Sequence, residues 1–205
     1  MILKRNLLVL AILIVVSMAL PACGGTDPNK TSQCLASVER LQKKELSGWV
    51  DLSYCELPSV NLAGLNLRQA SLRYGNFEHA NFYGTDLEDV DLKGANLKEA
   101  DFSESVLALA TLSFADLEKA NLSKASLRYA WLQNTNLKDA ILTEAVLVEA
   151  RLERAKLQGA NLIGADLTNA NLEEADLTGA QVTDQQLQSV ESLDGAILPD
   201  GTKSN

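Results

Sequence analysis

From Leu52 to Leu177 every fifth residue is Leu or Phe without exception, twenty-six centres in unbroken phase, with Phe at 77, 82 and 102. Two residues before each centre stands a second small or apolar side chain. It is Ala at seventeen of the twenty-six and a residue such as Cys55, Gly75, Val90 or Ser105 elsewhere. The unit is therefore Ala-(Asn/Asp)-Leu-x-x, complete in Ala95-Asn96-Leu97-Lys98-Glu99 and in Ala165-Asp166-Leu167-Thr168-Asn169. A period of five excludes both common elements. On an α-helix five residues advance about 500°, so successive leucines step about 140° round the axis and share no face. In a straight strand an odd period sends alternate leucines to opposite sides of the sheet. A chain that turns a corner after each pentapeptide escapes both: four units close a square coil of twenty residues, every Leu and Ala points inward, and stacked coils share one core. Six of the twelve glycines, at 64, 84, 94, 159, 164 and 179, fall two places after a centre, at the corner, where a positive φ costs glycine least.

In these motifs the chain resembles the pentapeptide-repeat family over about residues 50–183. The resemblance implies an all-β fold, a right-handed quadrilateral β-helix. With about 4.8 Å per coil, the spacing of adjacent strands, six and a half coils make a tower roughly 30 Å tall. An open solenoid exposes strand edges at both ends, so short helical caps are expected there. Over residues 31–49, Thr31 or Ser32 starts a helix whose Leu35, Val38 and Leu41 share a face and which ends near Gly48. Over residues 184–205, Thr183-Asp184 precedes a helical turn from Gln185 to Val190, followed by a last apolar stretch from Leu193 to Pro199 and a tail.

The N-terminus reads as an address. Residues 1–22 carry Lys4 and Arg5, then an apolar run from Leu7 to Leu20, then Pro21 and Ala22, the layout of a secretory signal peptide. That run is fourteen residues, short of the roughly 20 needed to span a bilayer core. Leu20-Pro21-Ala22-Cys23 resembles the lipobox of bacterial lipoproteins, which implies diacylglycerol on the Cys23 thiol, cleavage before it, and a membrane partner through that lipid. Gly24 after the cysteine implies sorting onward from the inner membrane, and hence a place in the bacterial cell envelope, periplasmic or outer face. Residues 23–30 offer almost nothing apolar to bury and read as a tether. With Cys23 assigned to lipid, Cys34 and Cys55 remain as an even pair in an exported protein. Two readings stand: a disulfide from the helical cap to the first coil, or Cys55 as a small core residue at an inward position.

The formal charge is −9, with 18 Lys+Arg against 27 Asp+Glu, so the chain lacks the cationic stripe that nucleic-acid binding needs. One histidine, His79, and three cysteines leave no zinc set, Cys/His dyad or Ser/His/Asp triad. Asp86, Glu88, Asp89 and Asp91 cluster without the ordered spacing of a calcium loop. No catalytic residue, metal, cofactor or small-molecule substrate is assigned. An enzyme is the alternative of a different class, which a cleft with convergent polar groups would favour.

Residues twenty apart should stack one coil apart. Glu78, Lys98, Glu118 and Lys138 then alternate in sign, as do Glu104, Lys124 and Glu144, so neighbouring rungs attract. Some members of the family resemble B-form DNA in shape and negative charge and protect topoisomerases from quinolones. That role wants uninterrupted acidic lines, which the alternating rungs do not give, and an exported lipoprotein could not reach a cytoplasmic gyrase, so it is only the runner-up here. Asn and Asp dominate the position before each centre, as expected of side chains that bond local backbone. Val106, Trp131, Ile141 and Val146 break that habit, while Leu109, Phe114, Tyr129 and Val148 fill other outward sites of the same coils. Val106, Leu109, Tyr129, Val146 and Val148 are expected on one face, with Phe114, Trp131 and Ile141 around neighbouring corners. Such a patch is a candidate surface for an unknown protein partner or for self-association; the other reading is that bulky side chains there cover a wider coil or a cap. The expectation is a non-enzymatic, lipid-anchored scaffold or protein-interaction module.

Overall fold

The computed structural model describes residues 28–44 and 49–205. The expected signal peptide, residues 1–22, the expected lipidation site Cys23 and the expected tether up to Asp27 lie outside the described residues. From Asp51 onward, single residues pair in parallel with the residue twenty places on: Asp51 with Ser71, Glu56 with Asn76, Asn61 with Asn81, Asn66 with Asp86, and so upward. Four such columns make a four-sided β-helix. We number its sides one to four from the centres Leu52, Leu57, Leu62 and Leu67.

All twenty-six centres are at most 1% exposed, and every alanine of the position two before them is buried. Leucines therefore stack on leucines along each side, with alanines, or somewhat larger residues such as Thr85 and Val90, closing the corners. Phe82 and Phe102 stack with ring centroids 4.5 Å apart, and Phe77 meets Phe82 edge-on at 6.0 Å. Gly75 stands where alanine is usual because a Cβ there would collide with the Phe77 ring. Buried threonine hydroxyls are satisfied by backbone of the coil below: Thr85 and Thr135 donate to the carbonyls of Leu62 and Leu112.

Each corner is a tight turn in which the N–H three residues after the centre returns to the centre's carbonyl, as Ala120 N–H does to Leu117 at 3.0 Å. The third turn residue has positive φ at all twenty-six corners, and twenty of these carry side chains, from Tyr54 to Glu174. A left-handed conformation costs an L-residue about 1–2 kcal/mol. Here it is offset because the corner N–H then points straight at the coil above, as Tyr54 N–H does to Arg73 at 2.8 Å. The glycines thus marked only some of the corners.

Helix α1, Pro28–Gln42, lies at the base of the tower. It buries Cys34, Val38 and Leu41 in the same core as the first coil, is joined to that coil by a Cys34–Cys55 disulfide (Cα–Cα 6.0 Å), and donates from Gln42 Nε2 to the Asn61 carbonyl. The expected boundaries shift. The helix starts at Pro28, so residues 28–30 belong to it and not to the tether, and Thr31 and Ser32 lie inside it. Proline suits a first helical turn, where its missing N–H is not needed. It ends at Gln42, well before Gly48, because Lys44 adopts φ 58° and turns the chain out of the helix.

At the other end the β-helix runs past residue 183. Helix α2, Asp184–Leu187, takes the place of a fourth side. Thr183 and Gln186 cap it reciprocally, and Gln186 Nε2 donates to the carbonyls of Leu162 and Ala165 below. A helical turn needs one residue more than a strand side, so pairing resumes at twenty-one places: Asn171 with Ser192 and Asp176 with Ile197. Ala196 is fully buried, and residues 192–198 form two further sides instead of a tail. The chain then reverses, Ile197 pairing antiparallel with Lys203, which covers the last exposed edge.

Candidate interaction surface

On the regular sides the residue before each centre is a backbone staple. Asn or Asp Oδ1 accepts the N–H two residues on, as from Asp51 to Ser53 at 2.8 Å and from Asp91 to Lys93 at 3.0 Å. Asparagines also link coil to coil: Asn76 Nδ2 donates to Glu56, Asn96 to Asn76 and Asn136 to Asp116. Thr168 donates both N–H and Oγ1–H to Asp166, which holds that carboxyl below the usual aspartate range.

Long charged side chains pair mainly with the coil above. Lys98 Nζ lies 3.3 Å from both Asp116 and Glu118, and these carboxylates hold its ammonium above the ordinary lysine value. Arg154 Nε reaches Glu174 at 2.6 Å. Such surface pairs contribute little each. His79 sits 3.4 Å from Glu99 and is half exposed. The acidic group at 86–91 is engaged within the chain: Arg68 pairs with Asp86 and Glu88, Arg73 with Asp91, and Gln69 donates to Asp89. Among the described residues, no group of three His, Cys, Asp or Glu could hold a metal ion, and no helix is long and apolar enough to cross a membrane.

Where the staple is missing, the apolar residues divide. Val106 and Val146 lie in the fourth-side column on either side of Ser126, and Val148 follows on the same side. Leu109 and Tyr129 occupy the corner between the fourth and first sides, with Trp131 next to it on the first side. Leu109, Tyr129 and Trp131 are each 45–48% exposed, whereas Val146 and Val148 are half-buried. Phe114 and Ile141, expected around neighbouring corners, do not join this group. Phe114 is on the corner between the first and second sides, where Lys93 lies over its ring at 5.8 Å, in the column that holds the stacked Tyr54 and Tyr74. Ile141 is on the third side, paired with Asn121 and Asn161. The reason is the square section, which sends residues only five or ten apart to different sides.

Beside Leu109, Tyr129 and Trp131 a groove of about 770 Å³ runs up the corner. Its upper walls are Glu149, Arg151 and Glu153, then Asn169, Asn171 and Glu191. The Arg151 guanidinium lies over the Trp131 ring, 5.3 Å from its centroid. Glu153 Oε2 is shielded from solvent without a hydrogen-bond partner. Sequence reasoning missed this polar wall. Arg151 was within reach, since it stands twenty places above Trp131 in a position normally Asn or Asp. Glu191 was not, because its place depends on the one-residue slip at α2.

The amino-acid sequence matches a family model described as pentapeptide repeats, in eight copies, over residues 49–89, 85–123, 120–159 and 145–184. No curated protein matches it. Among solved structures it is similar to HetL, a pentapeptide repeat protein involved in heterocyst differentiation regulation from the cyanobacterium Nostoc sp. strain PCC 7120, with 27% identity, 82% of this chain and 97% of that one covered, and a TM-score of 0.31. It is also similar to a pentapeptide repeat protein of the Arabidopsis thaliana thylakoid lumen, with 24% identity, coverage of 72% and 83%, and a TM-score of 0.31. A third is QnrB1, a plasmid-mediated fluoroquinolone resistance protein, with 20% identity, coverage of 75% and 84%, and a TM-score of 0.37.

Proposed function

Because the chain belongs to the pentapeptide-repeat family, we propose that it is a non-enzymatic, rigid protein-binding scaffold of the bacterial envelope, anchored by lipid on Cys23, with α1 and α2 serving as caps that blunt the two ends. The observation that carries the scaffold reading is the gathering of Val106, Leu109, Tyr129, Trp131, Val146 and Val148 on the fourth side and its corner, where the Asn/Asp staple is given up. A repeat that can fold with a polar staple at this position gains nothing for its own backbone from Trp131. Exposed Trp and Tyr are the residues that anchor protein interfaces. The groove beside them holds no histidine, serine or cysteine, and although Glu153 Oε2 is shielded, each charged residue of the lining keeps contact with solvent. Its carboxylates therefore have neither a nucleophile nor an imidazole base beside them to form a catalytic set. The mixed-sign rungs at Lys98 and Arg154 interrupt the acidic lines that a DNA-like surface would need.

The anchor rests on Leu20-Pro21-Ala22-Cys23 after an apolar run. Mass spectrometry of membranes should find a mature peptide beginning at Cys23 with diacylglyceryl mass, and Cys23→Ser should release or mislocalise the protein. For the scaffold, cross-linking in membranes followed by quantitative recovery of neighbours compares wild type with Trp131→Ser/Val146→Ser. Truncated interface anchors commonly cost about 2 kcal/mol or more, so the specific partner should fall at least about tenfold. Equal recovery of the same proteins and an unchanged oligomeric state would refute the patch as an interface.

A further inference from the structure

Resting on the scaffold reading, we infer that the corner groove is a docking slot for an extended basic peptide segment, in which an apolar side chain seats on Leu109, Tyr129 and Trp131 and a neighbouring lysine or arginine reaches Glu149, Glu153 and Glu191. The slot is graded along its length. Leu109 and Tyr129 stack one coil apart at its lower end with Trp131 beside them, and Glu149, Asn169 and Glu191 follow on higher coils. Over such a run of coils, at about 4.8 Å each, the slot spans roughly 20 Å, the length of about six extended residues.

Three further observations decide the chemistry of the occupant. Three carboxylates face one guanidinium in the slot, and the whole chain carries −9, so local and long-range charge both favour a cation. Arg151 is already committed to the face of Trp131, where it holds the ring in place and leaves the carboxylates the larger share of the charge. Glu153 Oε2 has no donor, and an under-satisfied carboxylate oxygen gains a charge-assisted hydrogen bond once its side chain turns toward an incoming ammonium. Asn169 presents an amide donor and acceptor and Asn171, whose Oδ1 already accepts the Glu173 N–H at 2.9 Å, adds its amide N–H donors, groups that a peptide main chain can use. A neutral sugar chain would use the rings and amides but not the charge, and an anionic partner would be repelled.

The test is fluorescence anisotropy with the full chain in neutral detergent and three labelled octapeptides of alternating sequence: Lys-Leu, Lys-Ser and Glu-Leu. The Lys-Leu peptide should bind, at least about tenfold tighter than Lys-Ser and more strongly still relative to Glu-Leu. Glu149→Gln/Glu153→Gln/Glu191→Gln should weaken it at least about tenfold. Removing the same charge near the diagonally opposite corner, with Glu78→Gln/Glu99→Gln/Asp139→Asn, should change it less than about threefold. Equal weakening by both triple variants, equal affinity for Lys-Leu and Lys-Ser, or binding of a neutral oligosaccharide with no binding of Lys-Leu would each overturn the slot. If Lys-Leu fails to bind while the membrane partner is still lost in Trp131→Ser/Val146→Ser, the basic-peptide assignment falls and the scaffold reading stands. Circular dichroism of each variant checks that the coils persist.

Discussion

Leu117→Ala should be among the most damaging single changes in the tower. Leu117 is fully buried on the second side, between Leu97 and Leu137 of the coils below and above, which are fully buried too. Leu→Ala at buried sites costs about 2–5 kcal/mol, and the position in that range depends on how far the surroundings can collapse. Here they are held apart. Leu117 N–H is bonded to the Asn136 carbonyl at 2.7 Å, and its own carbonyl accepts Ala120 N–H at 3.0 Å, so neither the coil spacing nor the corner can close on the void. The expected loss is therefore in the upper half of the range, about 3.5–5 kcal/mol. In a solenoid each coil is stabilised by its neighbours, so the damage spreads to the interfaces on both sides. Lys98→Ala on the coil below provides the contrast, because its pairs with Asp116 and Glu118 are solvent-exposed and screened. Urea unfolding followed by circular dichroism compares the two. Leu117→Ala should bring the midpoint down sharply or split the transition, while Lys98→Ala stays close to wild type. Coincident midpoints would refute the inward assignment of the centres and with it the packing argument.

Removing the Cys34–Cys55 bridge by Cys34→Ser/Cys55→Ser frees a loop closed over a sequence separation of 21, which should lower stability by about 3 kcal/mol, measured as the same drop in wild type under reductant. Gly84 has φ 58° with open space around its Cα, so Gly84→Val is opposed by backbone strain alone and should cost about 1–2 kcal/mol, whereas Glu144→Gly at an equivalent corner should be neutral or stabilising in the same thermal melt. The Asp166 carboxyl, held low by Thr168, contributes stability above the ordinary aspartate value near 4 that is lost as pH falls through the lowered value. Thr168→Val should therefore be less stable than wild type at pH 7 and converge with it in acid; a constant difference at all pH values would deny the hydrogen bond this role.

The pentapeptide phase determined which side chains face in at twenty-six positions, because inwardness in this fold follows from position within five residues and needs no distant partner. For the same reason the square section and the Asn/Asp staple were legible: each staple bonds the backbone two residues on. The handedness of the corner backbone was legible only at the corners that glycine marks, since Tyr74, Lys119 and Glu149 do not favour positive φ, and only hydrogen bonds to the coil above make it worth adopting there. Cys34 and Cys55 left two readings open until α1 docked across the base and set their Cα atoms 6.0 Å apart. Phe114 and Ile141 parted from the other apolar residues because neighbours in sequence are carried round a square. The groove was the least visible feature. Its walls come from separate coils, and Glu191 joins them because α2 takes one extra residue and turns the last coils out of the twenty-residue frame, a shift set by how a helical turn spans a side built for a strand.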